Sequence, residues 1–562
     1  MLSPRILATV LIAAALGVQL TDATHRPANS NKGAVSSYIV SARSLSAARE
    51  AVRRVDGKLT HELDVIDSVA AQLTAEQRSQ LAADPSLSLS LDKVITVSGS
   101  TGTVQPYVVE HTRANRLHAS GITGRGITIA FLDSGWWSQH ATQTDTAGRN
   151  VVLQGYDAIG NTAGVGAPND HYGHGTHVLS IATNSAISQN GTYIGIAPDA
   201  ARVIIRAFDQ NGAGSYANTI RGIDWILKNA SAYHIRVVNM SFGAPPQSYY
   251  WDDPLARAVM KLWQAGIVVV ASAGNGGPGA MTIGVPGNVP YVITVGAMTD
   301  SFTPRNPGDD KLASFSSTGP TYEGFVKPEI VAPGGHVIAV LSGSTTIGKA
   351  HPSFLGTNGY LGSSYFYMSG TSMSAAVVSG VVALMLQDQP DLTPDQVKCK
   401  LISSAHPAVD SSSNLAYSVF QQGAGEIDAY AAVLNQKADC ANSGLDIAAD
   451  LAGTRHFAGP ANRDANGNYY VMSMSPAEPP GAPAKEDGYT WSTGYVWSKG
   501  YTWSTGYVWS KGYTWSTGYV WSKGSVWSKG HAWDESVPWS SGASNTGNLT
   551  RPASINSWVD NE

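Results

Sequence analysis

The sequence predicts an α/β fold in which a mostly parallel, doubly wound sheet is flanked by helices on both faces. From Val108 onward, apolar runs rich in β-branched residues alternate with amphipathic segments, which is the rhythm of such sheets. The runs at 126–132 and 267–271 are apolar almost throughout, as strands buried on both faces are. Each run leads into a polar residue at its carboxyl end, where α/β folds place their ligands.

Residues 38–97 predict a separate, small α+β unit with the element order βαββαβ. Strands are expected at 38–40, 58–66, 68–74 and 87–97, and helices at 45–55 and from 75 onward. Thr74 and Gln77 have the spacing of a capping box, which marks the start of the second helix. This order is that of a split-βαβ domain.

The larger part of the chain continues the alternation of strands and helices. Strands are expected at 201–208, 236–242 and 289–297, and helices at 216–229 and 254–265. The buried side of the first of these helices is formed by apolar residues at helical spacing, namely Ile220, Ile223, Trp225, Ile226 and Leu227. We therefore expect helical layers that cover the sheet.

A serine at a strand–turn–helix junction is the first candidate for chemistry. Tyr365–Met368 reads as a strand end, Gly370 permits a tight turn, and residues 374–386 predict a long buried helix. Unpaired N–H groups and the positive end of the helix dipole meet at such a junction. Ser372 is thus well placed for a nucleophile whose attack builds an oxyanion. Because Gly-Thr-Ser also makes ordinary helix caps, the assignment needs a base and an acid elsewhere.

Three other motifs supply the missing polar groups. Asp133 ends the first buried run, His174 lies at a glycine-flanked helix start, and Asn275 follows the second run among glycines. Taken singly, each has a plainer interpretation, as a turn, a metal-binding loop or an Asn-Gly turn. The order Asp, His, Asn and Ser on a strand–helix background is difficult to obtain by chance.

These motifs resemble those of the subtilisin-like serine proteases over roughly residues 108–434. The resemblance implies a subtilisin-like fold and a triad of Asp133, His174 and Ser372 in the chain order known for subtilisin. It also implies that Asn275 donates to the oxyanion. The expected activity is that of a serine endopeptidase on protein or peptide substrates, with no cofactor required for the chemistry.

The resemblance also implies the segments that bind substrate. P1 is the substrate residue before the scissile bond. The walls of its pocket are Ser241, Phe242 and Gly243 on one side and Ser272, Ala273 and Gly274 on the other. The strand that pairs with the substrate backbone is Gly212, Ala213 and Gly214. A peptide added as an extra strand is held by main-chain hydrogen bonds. None of these wall residues is acidic, so we expect broad specificity with an apolar or bulky P1 residue, although Asp252 and Asp253 lie nearby in the sequence.

Two motifs depart from the family pattern. Leu179 and Ser180 stand where the family usually has Ala and Gly, so Leu179 must find space at a close helix contact. Ala376 stands where the family usually has proline, which relaxes the first turn of the helix. Neither change removes a catalytic group. His177 is expected to pack or to cap, and His171 to lie in a loop.

Composition and charge limit the partners and the compartment. Charged residues make up 14% of the 562, and the formal net charge of −5 gives no reason to expect nucleic acid or an anionic membrane. A basic head at 1–5 and an apolar run at 6–18 predict a signal peptide at 1–23, with an anchor helix as the alternative. We therefore expect a secreted protein, with cell-surface association left open. Cys399 and Cys440 fit an oxidising compartment and could form one disulfide.

The chain divides into six predicted parts. After the signal peptide, residues 24–106 are expected to form an inhibitory propeptide, because the family has one of this pattern; a permanent amino-terminal domain is the alternative. The peptidase domain is expected at 107–440, a linker at 441–487, a low-complexity repeat tail at 488–541 and a final extension at 542–562. The protein is thus expected to be a zymogen whose own propeptide is an intramolecular inhibitor.

The repeat tail consists of hexapeptides of the form Gly-Tyr/Ser-Thr/Val-Trp-Ser-Thr/Lys. Tyr489 and Trp491 share a face if the chain is extended, so the repeats could present aromatic platforms to polysaccharide, peptide or a cell surface. A low-complexity extension without such a role is the alternative.

No metal site is predicted, and any structural calcium of the kind common in the family is left unassigned. The candidate carboxylates are expected to serve surface solvation instead: Asp209, Asp252, Asp253, Asp309 and Asp310. Two rival functions remain. One is an inactive homologue that only binds its target, and the other is a glycan- or surface-binding tail that carries a protease.

Overall fold

The computed structural model describes residues 35–63, 68–91, 107–138, 140–164, 168–300, 303, 310–356, 364–410, 414–464, 467–472, 495–496 and 552–555. They belong to two compact units, residues 1–100 and residues 101–562. The predicted signal peptide lies outside the described residues, and so does the predicted repeat tail apart from Tyr495–Val496.

The first unit has the βαββαβ order that the sequence predicts. Its elements are β1 Val35–Ser41, α1 Leu45–Arg54, β2 Lys58–Leu63, β3 Ser68–Thr74, α2 Ala75–Ala82 and β4 Ser88–Leu91. The strands form one antiparallel sheet in the order β2-β3-β1-β4. The predicted capping box forms, since Thr74 Oγ1 accepts from the Gln77 N–H at 3.2 Å and Gln77 Oε1 accepts from the Thr74 N–H at 2.8 Å.

The second unit is built from strands and helices that alternate along much of the chain. Its described strands are β5 Thr128–Asp133, β6 Val152–Asp157, β7 Thr162–Gly164, β8 Ala201–Arg206, β9 Ala213–Ser215, β10 Ile235–Met240, β11 Phe242–Gly243, β12 Val268–Ser272, β13 Ile293–Thr299, β14 Lys311–Leu312, β15 Ile330–Pro333, β16 Val337–Val340, β17 Tyr365–Met368, β18 Phe457–Ala458, β19 Ala461–Arg463, β20 Tyr469–Val471, β21 Tyr495–Val496 and β22 Pro552–Ile555. Its described helices are α3 Val108–His111, α4 Ala114–Ala119, α5 His140–Gln143, α6 His174–Thr183, α7 Tyr216–Asn229, α8 Pro254–Gln264, α9 Thr346–Ala350, α10 Thr371–Asp388, α11 Pro394–Ser404, α12 Val419–Gln422, α13 Ala429–Leu434 and α14 Ile447–Leu451, with a 3₁₀ turn at Pro352–Phe354.

The central sheet of this unit is mostly parallel, as the sequence predicts. Its strand order is β14-β13-β12-β10-β5-β8-β6-β7, and β15 also pairs with β13. The pairs from β6 through β8, β5, β10, β12 and β13 to β15 are parallel, and only the outer strands β7 and β14 pair antiparallel. The carboxyl ends of the parallel strands therefore meet at one edge, where the candidate site lies.

Helices cover this sheet in two groups. Helices α6 and α10 pack against each other, as do α7 and α8, and both groups contact the sheet. By length and composition α10 could cross a membrane, but 89% of its apolar window is buried inside the protein, so it is a core helix. It begins at Thr371, three residues before the predicted start, and this places Ser372 inside its first turn.

The predicted linker at 441–487 is wrong in its first part. Residues 441–464 and 467–472 fold onto the peptidase unit through α14 and the strands β18 to β20. Leu451 and Phe457 belong to the main hydrophobic core. The pattern misled because these elements are only two to five residues long, too short to show a clear hydrophobic period.

The two cysteines form a disulfide, Cys399–Cys440, which closes a separation of 41 residues. It joins α11 to the segment that leads into α14. Lys398, next to it, donates to Asn442 Oδ1 at 3.1 Å and so adds a polar link to the same segment.

Candidate active site

Two of the predicted catalytic side chains are hydrogen-bonded to each other in the interior of the second unit. Asp133 is the last residue of β5 and is 1% exposed, and His174 is the first residue of α6 and is fully buried. His174 Nδ1 lies 2.8 Å from Asp133 Oδ1 and 3.0 Å from Oδ2. Because an ionised carboxylate only accepts hydrogen bonds, Nδ1 carries a proton, and in the neutral ring Nε2 is the acceptor.

Asp170, a buried residue that none of the sequence motifs singles out, holds the first turn of α6. Its Oδ1 accepts from the Gly173 N–H at 2.7 Å and from the Ser134 hydroxyl at 2.8 Å. Its Oδ2 accepts from the N–H and the hydroxyl of Thr176, at 2.8 and 2.7 Å. The Ser134 hydroxyl also accepts from the Gly175 N–H at 2.9 Å. This carboxylate therefore ties the end of β5 to the start of α6.

Ser372, the predicted nucleophile, is fully buried in the first turn of α10. Its hydroxyl donates to the Ser241 carbonyl at 3.1 Å, and the Ser241 hydroxyl donates to the Ser372 carbonyl at 3.0 Å. His174 Nε2 has no hydrogen-bond partner among the described residues. In this conformation the Ser372 hydroxyl is therefore directed to Ser241 and is not hydrogen-bonded to the imidazole.

A network of hydrogen bonds between buried side chains holds Ser241 in place. The Ser379 hydroxyl, in the middle of α10, donates to Asn239 Oδ1 at 2.9 Å. Asn239 Nδ2 then donates to the Ser241 hydroxyl at 2.9 Å. All three side chains are fully buried, and satisfied buried networks of this kind rigidify their surroundings. This network thus connects the middle of α10 to the first turn of the same helix through residues at the end of β10.

Asn275, the predicted oxyanion donor, is oriented by Thr371. Asn275 Oδ1 accepts from the Thr371 N–H at 3.0 Å and from the Thr371 hydroxyl at 2.9 Å. The same hydroxyl accepts from the Gly274 N–H at 3.1 Å. Because the carbonyl end of the amide is held at the start of α10, the NH₂ end is directed away from it. Gly274 has a φ of +112°, a conformation that a side chain would strain.

The predicted substrate-binding segments lie at the ends of neighbouring strands. Gly212 precedes β9, which contains Ala213 and Gly214, and Phe242–Gly243 is β11 itself. Ser272 ends β12, and Ala273 and Gly274 follow it in the chain. Tyr172 covers Gly212 so closely that a Cβ atom there would lie 2.6 Å from the tyrosine Cζ, and the φ of Gly212 is +73°, so a side chain here would be strained and would displace the tyrosine.

His177 and the two departures from the family pattern are accommodated in the core. His177 is fully buried with Nε2 3.0 Å from the Phe366 carbonyl, and burial lowers its pKa to about 3, so the ring stays neutral. Leu179 and Ala376 are fully buried. The Ser180 hydroxyl donates to the His177 carbonyl at 3.0 Å and accepts from the Val340 N–H at 2.8 Å. The serine that replaces the usual glycine is therefore fully hydrogen-bonded in the core.

The prediction of surface solvation is wrong for two of the candidate aspartates. Asp253 is fully buried, and its Oδ1 caps α8 by accepting from the N–H groups of Leu255 and Ala256 at 2.9 and 3.1 Å. Asp310 has a side chain that is only 10% exposed. Asp252 is exposed, although partial desolvation of its carboxyl group raises its pKa. Asp209 is partly exposed and orders its own turn, while Asp309 lies outside the described residues.

Asp310 belongs to a cluster with His111 and Glu426 whose donor atoms lie within 4.8 Å of one another. His111 Nε2 is hydrogen-bonded to Glu426 and lies 3.6 Å from Asp310 Oδ2. Burial opposes protonation of His111, but the hydrogen bond to Glu426 and the charges of both carboxylates raise its pKa. Because His111 Nε2 is already engaged by Glu426, we assign no metal to this cluster.

Comparison with known proteins decides the family. The model of the subtilase family, Peptidase S8, matches residues 124–425. The chain belongs to the subtilase family. The chain is 34% identical over 386 residues to serine protease AprX of Bacillus subtilis, an alignment that covers 67% of this chain and 82% of AprX. It is 29% identical over 368 residues to subtilisin E of the same species, covering 65% of this chain and 82% of subtilisin E.

Among solved structures, the chain resembles fervidolysin from Fervidobacterium pennivorans, described as a keratinolytic enzyme related to subtilisin. The TM-score is 0.46 at 22% identity, covering 79% of this chain and 68% of fervidolysin. As a subtilase, the protein is a serine-type endopeptidase with a subtilisin-like fold, and its substrates are proteins or peptides.

Proposed function

We propose that this subtilase hydrolyses peptide bonds through a triad of Ser372, His174 and Asp133, with Asn275 as a side-chain oxyanion donor. The observation that carries the proposal is the buried pairing of His174 Nδ1 with both carboxylate oxygens of Asp133, at 2.8 and 3.0 Å. This pairing leaves Nε2 as the atom that can accept a proton. Ser372 stands at a helix N-terminus, where a developing negative charge is stabilised.

In the first step His174 Nε2 takes the Ser372 proton as the hydroxyl oxygen attacks the substrate carbonyl. The hydroxyl must first leave the Ser241 carbonyl, which it reaches at 3.1 Å, by rotation about one side-chain bond. A neutral hydrogen bond of this kind contributes only about 0.5–1.5 kcal/mol, so substrate binding can offset its loss. Asp133 then stabilises the imidazolium, and His174 gives the proton to the leaving amine.

The negative oxygen of the tetrahedral intermediate is stabilised by the Asn275 NH₂ group and by the Ser372 N–H. Support comes from Thr371, which holds the Asn275 carbonyl end through two hydrogen bonds of 3.0 and 2.9 Å. A donor held in advance costs no reorganisation when the charge develops. Loss of one such donor lowers turnover by about 10²–10³.

The P1 preference is proposed to be broad and apolar-leaning. The proposed walls, 241–243 and 272–274, contain no acidic residue. The nearby Asp253 is engaged in capping α8, so it does not offer a carboxylate to a basic P1 side chain. An apolar pocket discriminates modestly, since one methylene changes the binding free energy by about 1–3 kcal/mol.

The proposed precursor is a secreted zymogen in which the 24–106 unit is an inhibitory propeptide that the enzyme removes itself. Support comes from the separate compact unit at the amino-terminal end of the chain and from the signal-peptide pattern of residues 1–23. The Cys399–Cys440 disulfide is consistent with an oxidising compartment. Polysaccharide or cell-surface contact through the 488–541 repeats stays a prediction.

The test is the intact mass over time of the purified precursor, its Ser372→Ala variant and a Ser374→Ala control. Ser374 lies in the same turn of α10, but its hydroxyl donates to the Ala332 carbonyl at 3.0 Å. We expect the wild type and the control to lose roughly the first hundred residues and to cleave denatured casein, whereas Ser372→Ala stays whole and inactive. If Ser372→Ala is processed and cleaves casein like the wild type, the proposed nucleophile is wrong. An inactive wild type would favour the binding-protein alternative.

A further inference from the structure

A short strand from far along the chain fills the groove between two of the proposed substrate-binding segments. Strand β22, Pro552–Ile555, lies between β9 and β11 in a three-stranded sheet. It runs antiparallel to both neighbours, with Ala553 opposite Gly214 and Ser554 opposite Ala213 on one side. On the other side Ser554 lies opposite Gly243 and Ile555 opposite Phe242.

The neighbours of β22 are the residues through which a peptide substrate is proposed to be held. β9 contains Ala213 and Gly214, and β11 is Phe242–Gly243. A strand that pairs on both of its edges uses the main-chain groups that an incoming peptide would need. A substrate strand and β22 therefore cannot occupy this position at the same time.

The sequence of this segment suits a central strand. Pro552 is its first residue, the position at which a missing N–H disturbs a sheet least. The next three residues, Ala553, Ser554 and Ile555, all retain the N–H that pairing on two sides requires. Because the segment is covalently attached, its binding is intramolecular and does not weaken when the protein is diluted.

We propose that the segment around 552–555 is a built-in competitive inhibitor of the peptidase, which binds the substrate groove as a pseudo-substrate strand. The proposal rests on the proposed function, since it takes β9 and β11 as the groove for substrate. It adds a second inhibitory element to the amino-terminal propeptide, and this one acts after the propeptide has gone. Its signature is a raised KM for peptide substrates with an unchanged kcat, because bound substrate and bound β22 exclude each other.

The test compares the processed full chain with three altered forms on a chromogenic peptide substrate with phenylalanine at P1. Ser554→Pro removes an N–H from the middle of β22, and proline is not tolerated in a central strand. A chain that ends at Arg551 lacks the segment altogether. Ser544→Pro is the matched control, since it makes the same change ten residues upstream of Ser554.

We expect Ser554→Pro and the truncated chain to have a KM lower than the wild type by at least about fivefold, at equal kcat. Ser544→Pro should behave like the wild type, and a synthetic 549–562 peptide should inhibit the truncated chain competitively. Equal KM values in the wild type, Ser554→Pro and the truncated chain, with no inhibition by the peptide, would overturn the proposal. If the truncated chain does not hydrolyse the substrate at all, the proposed active site is what fails.

A second measurement separates binding from turnover. In the Ser372→Ala background, a fluorescently labelled substrate peptide should bind the truncated chain at least about fivefold more tightly than the full chain. Equal affinities would contradict occupation of the groove by β22, whatever the catalytic residues prove to be.

Discussion

Thr371 contributes to the site only through the residues that it holds. Its N–H and hydroxyl both donate to Asn275 Oδ1, and its hydroxyl accepts from the Gly274 N–H. A donor that must develop a hydrogen bond in the transition state works best when its orientation is fixed beforehand. Thr371 is therefore a positioning residue, and Asn275 is the group proposed to touch the reacting oxygen.

We expect Thr371→Val to lower kcat by about tenfold and to change KM much less, because its main effect is to loosen Asn275, while in the proposed P1 wall it removes only the acceptor of the Gly274 N–H. Valine keeps the shape of threonine but removes the hydroxyl. The measurement is steady-state hydrolysis of a chromogenic peptide.

Thr371→Ser, which restores the hydroxyl, is the control and should retain most of the wild-type kcat. In an Asn275→Leu background, Thr371→Val should have little further effect, since the amide that it positions is gone. A full tenfold loss in that background would show that Thr371 acts by another route.

At this scale the sequence motifs name the candidate residues but not the contacts that hold them. The motifs locate Asp133 and His174, and the structure brings these two within hydrogen-bonding distance. The partners that hold them are distant in the chain or carry no motif. Ser379 and Asn239, for example, are 140 residues apart and meet only because α10 crosses β10. Asp170 stands four residues before His174, and this spacing is the one signal that could have revealed it.

At the scale of elements, the hydrophobic period of the sequence predicts the regular strands and long helices, but it does not predict the short elements after residue 440. There the chain is held by one buried carboxylate. Asp450 Oδ2 accepts from the hydroxyls of Tyr250 at 2.6 Å and Tyr291 at 3.0 Å, and its Oδ1 lies 2.8 Å from His456 Nδ1. Tertiary hydrogen bonds of this kind leave no periodic pattern in the sequence, so composition alone suggested a linker.

We expect Asp450→Ala to lower the free energy of unfolding by about 2–4 kcal/mol. The change leaves the buried Tyr291 hydroxyl without its acceptor and leaves the Tyr250 hydroxyl only the longer bond of 3.3 Å to the Phe457 carbonyl, and an unsatisfied buried polar group is costly. The measurement is urea unfolding in the Ser372→Ala background, where self-digestion does not interfere.

Asp439→Ala removes an exposed carboxylate from the same part of the chain and is the control. It should change the unfolding free energy by less than about 0.5 kcal/mol. If Asp450→Ala were equally mild, the hydrogen bonds of Asp450 would contribute little to the stability of this part of the chain.

For the molecule as a whole, the main surprise is how much charge lies inside a chain with few charged residues. Lys327 and Lys398 both contact Glu329, at 2.6 and 2.8 Å, and all three side chains are buried. Burial lowers the pKa of Lys327 to about 7, although the charge of Glu329 opposes this. A composition of 14% charged residues does not reveal where those charges lie, so sequence could not predict this interior.

Glu323 is the buried carboxyl group with the clearest consequence for pH dependence. Burial raises its pKa from 4.5 to about 7, while the Tyr250 N–H, which donates to Oε1 at 2.9 Å, acts in the opposite direction. Between pH 4.5 and 7 the folded protein thus holds a proton here that the unfolded chain has released. The free energy of unfolding must therefore fall as pH rises through this window, and the contribution of Glu323 levels off above it.

We expect Glu323→Gln to remove this fall, because an amide keeps a carbonyl acceptor for the Tyr250 N–H but cannot ionise. The difference in unfolding free energy between the variant and its parent should shift by about 3 kcal/mol in favour of the variant from pH 4.5 to pH 8. This follows because each unit of pKa shift corresponds to about 1.4 kcal/mol. Urea unfolding at pH 4.5, 6 and 8 in the Ser372→Ala background measures the gain.

Asp391→Asn, which removes an exposed carboxylate, is the control and should show no such gain. Parallel pH profiles for Glu323→Gln and its parent would mean that Glu323 ionises in the folded protein as readily as in water.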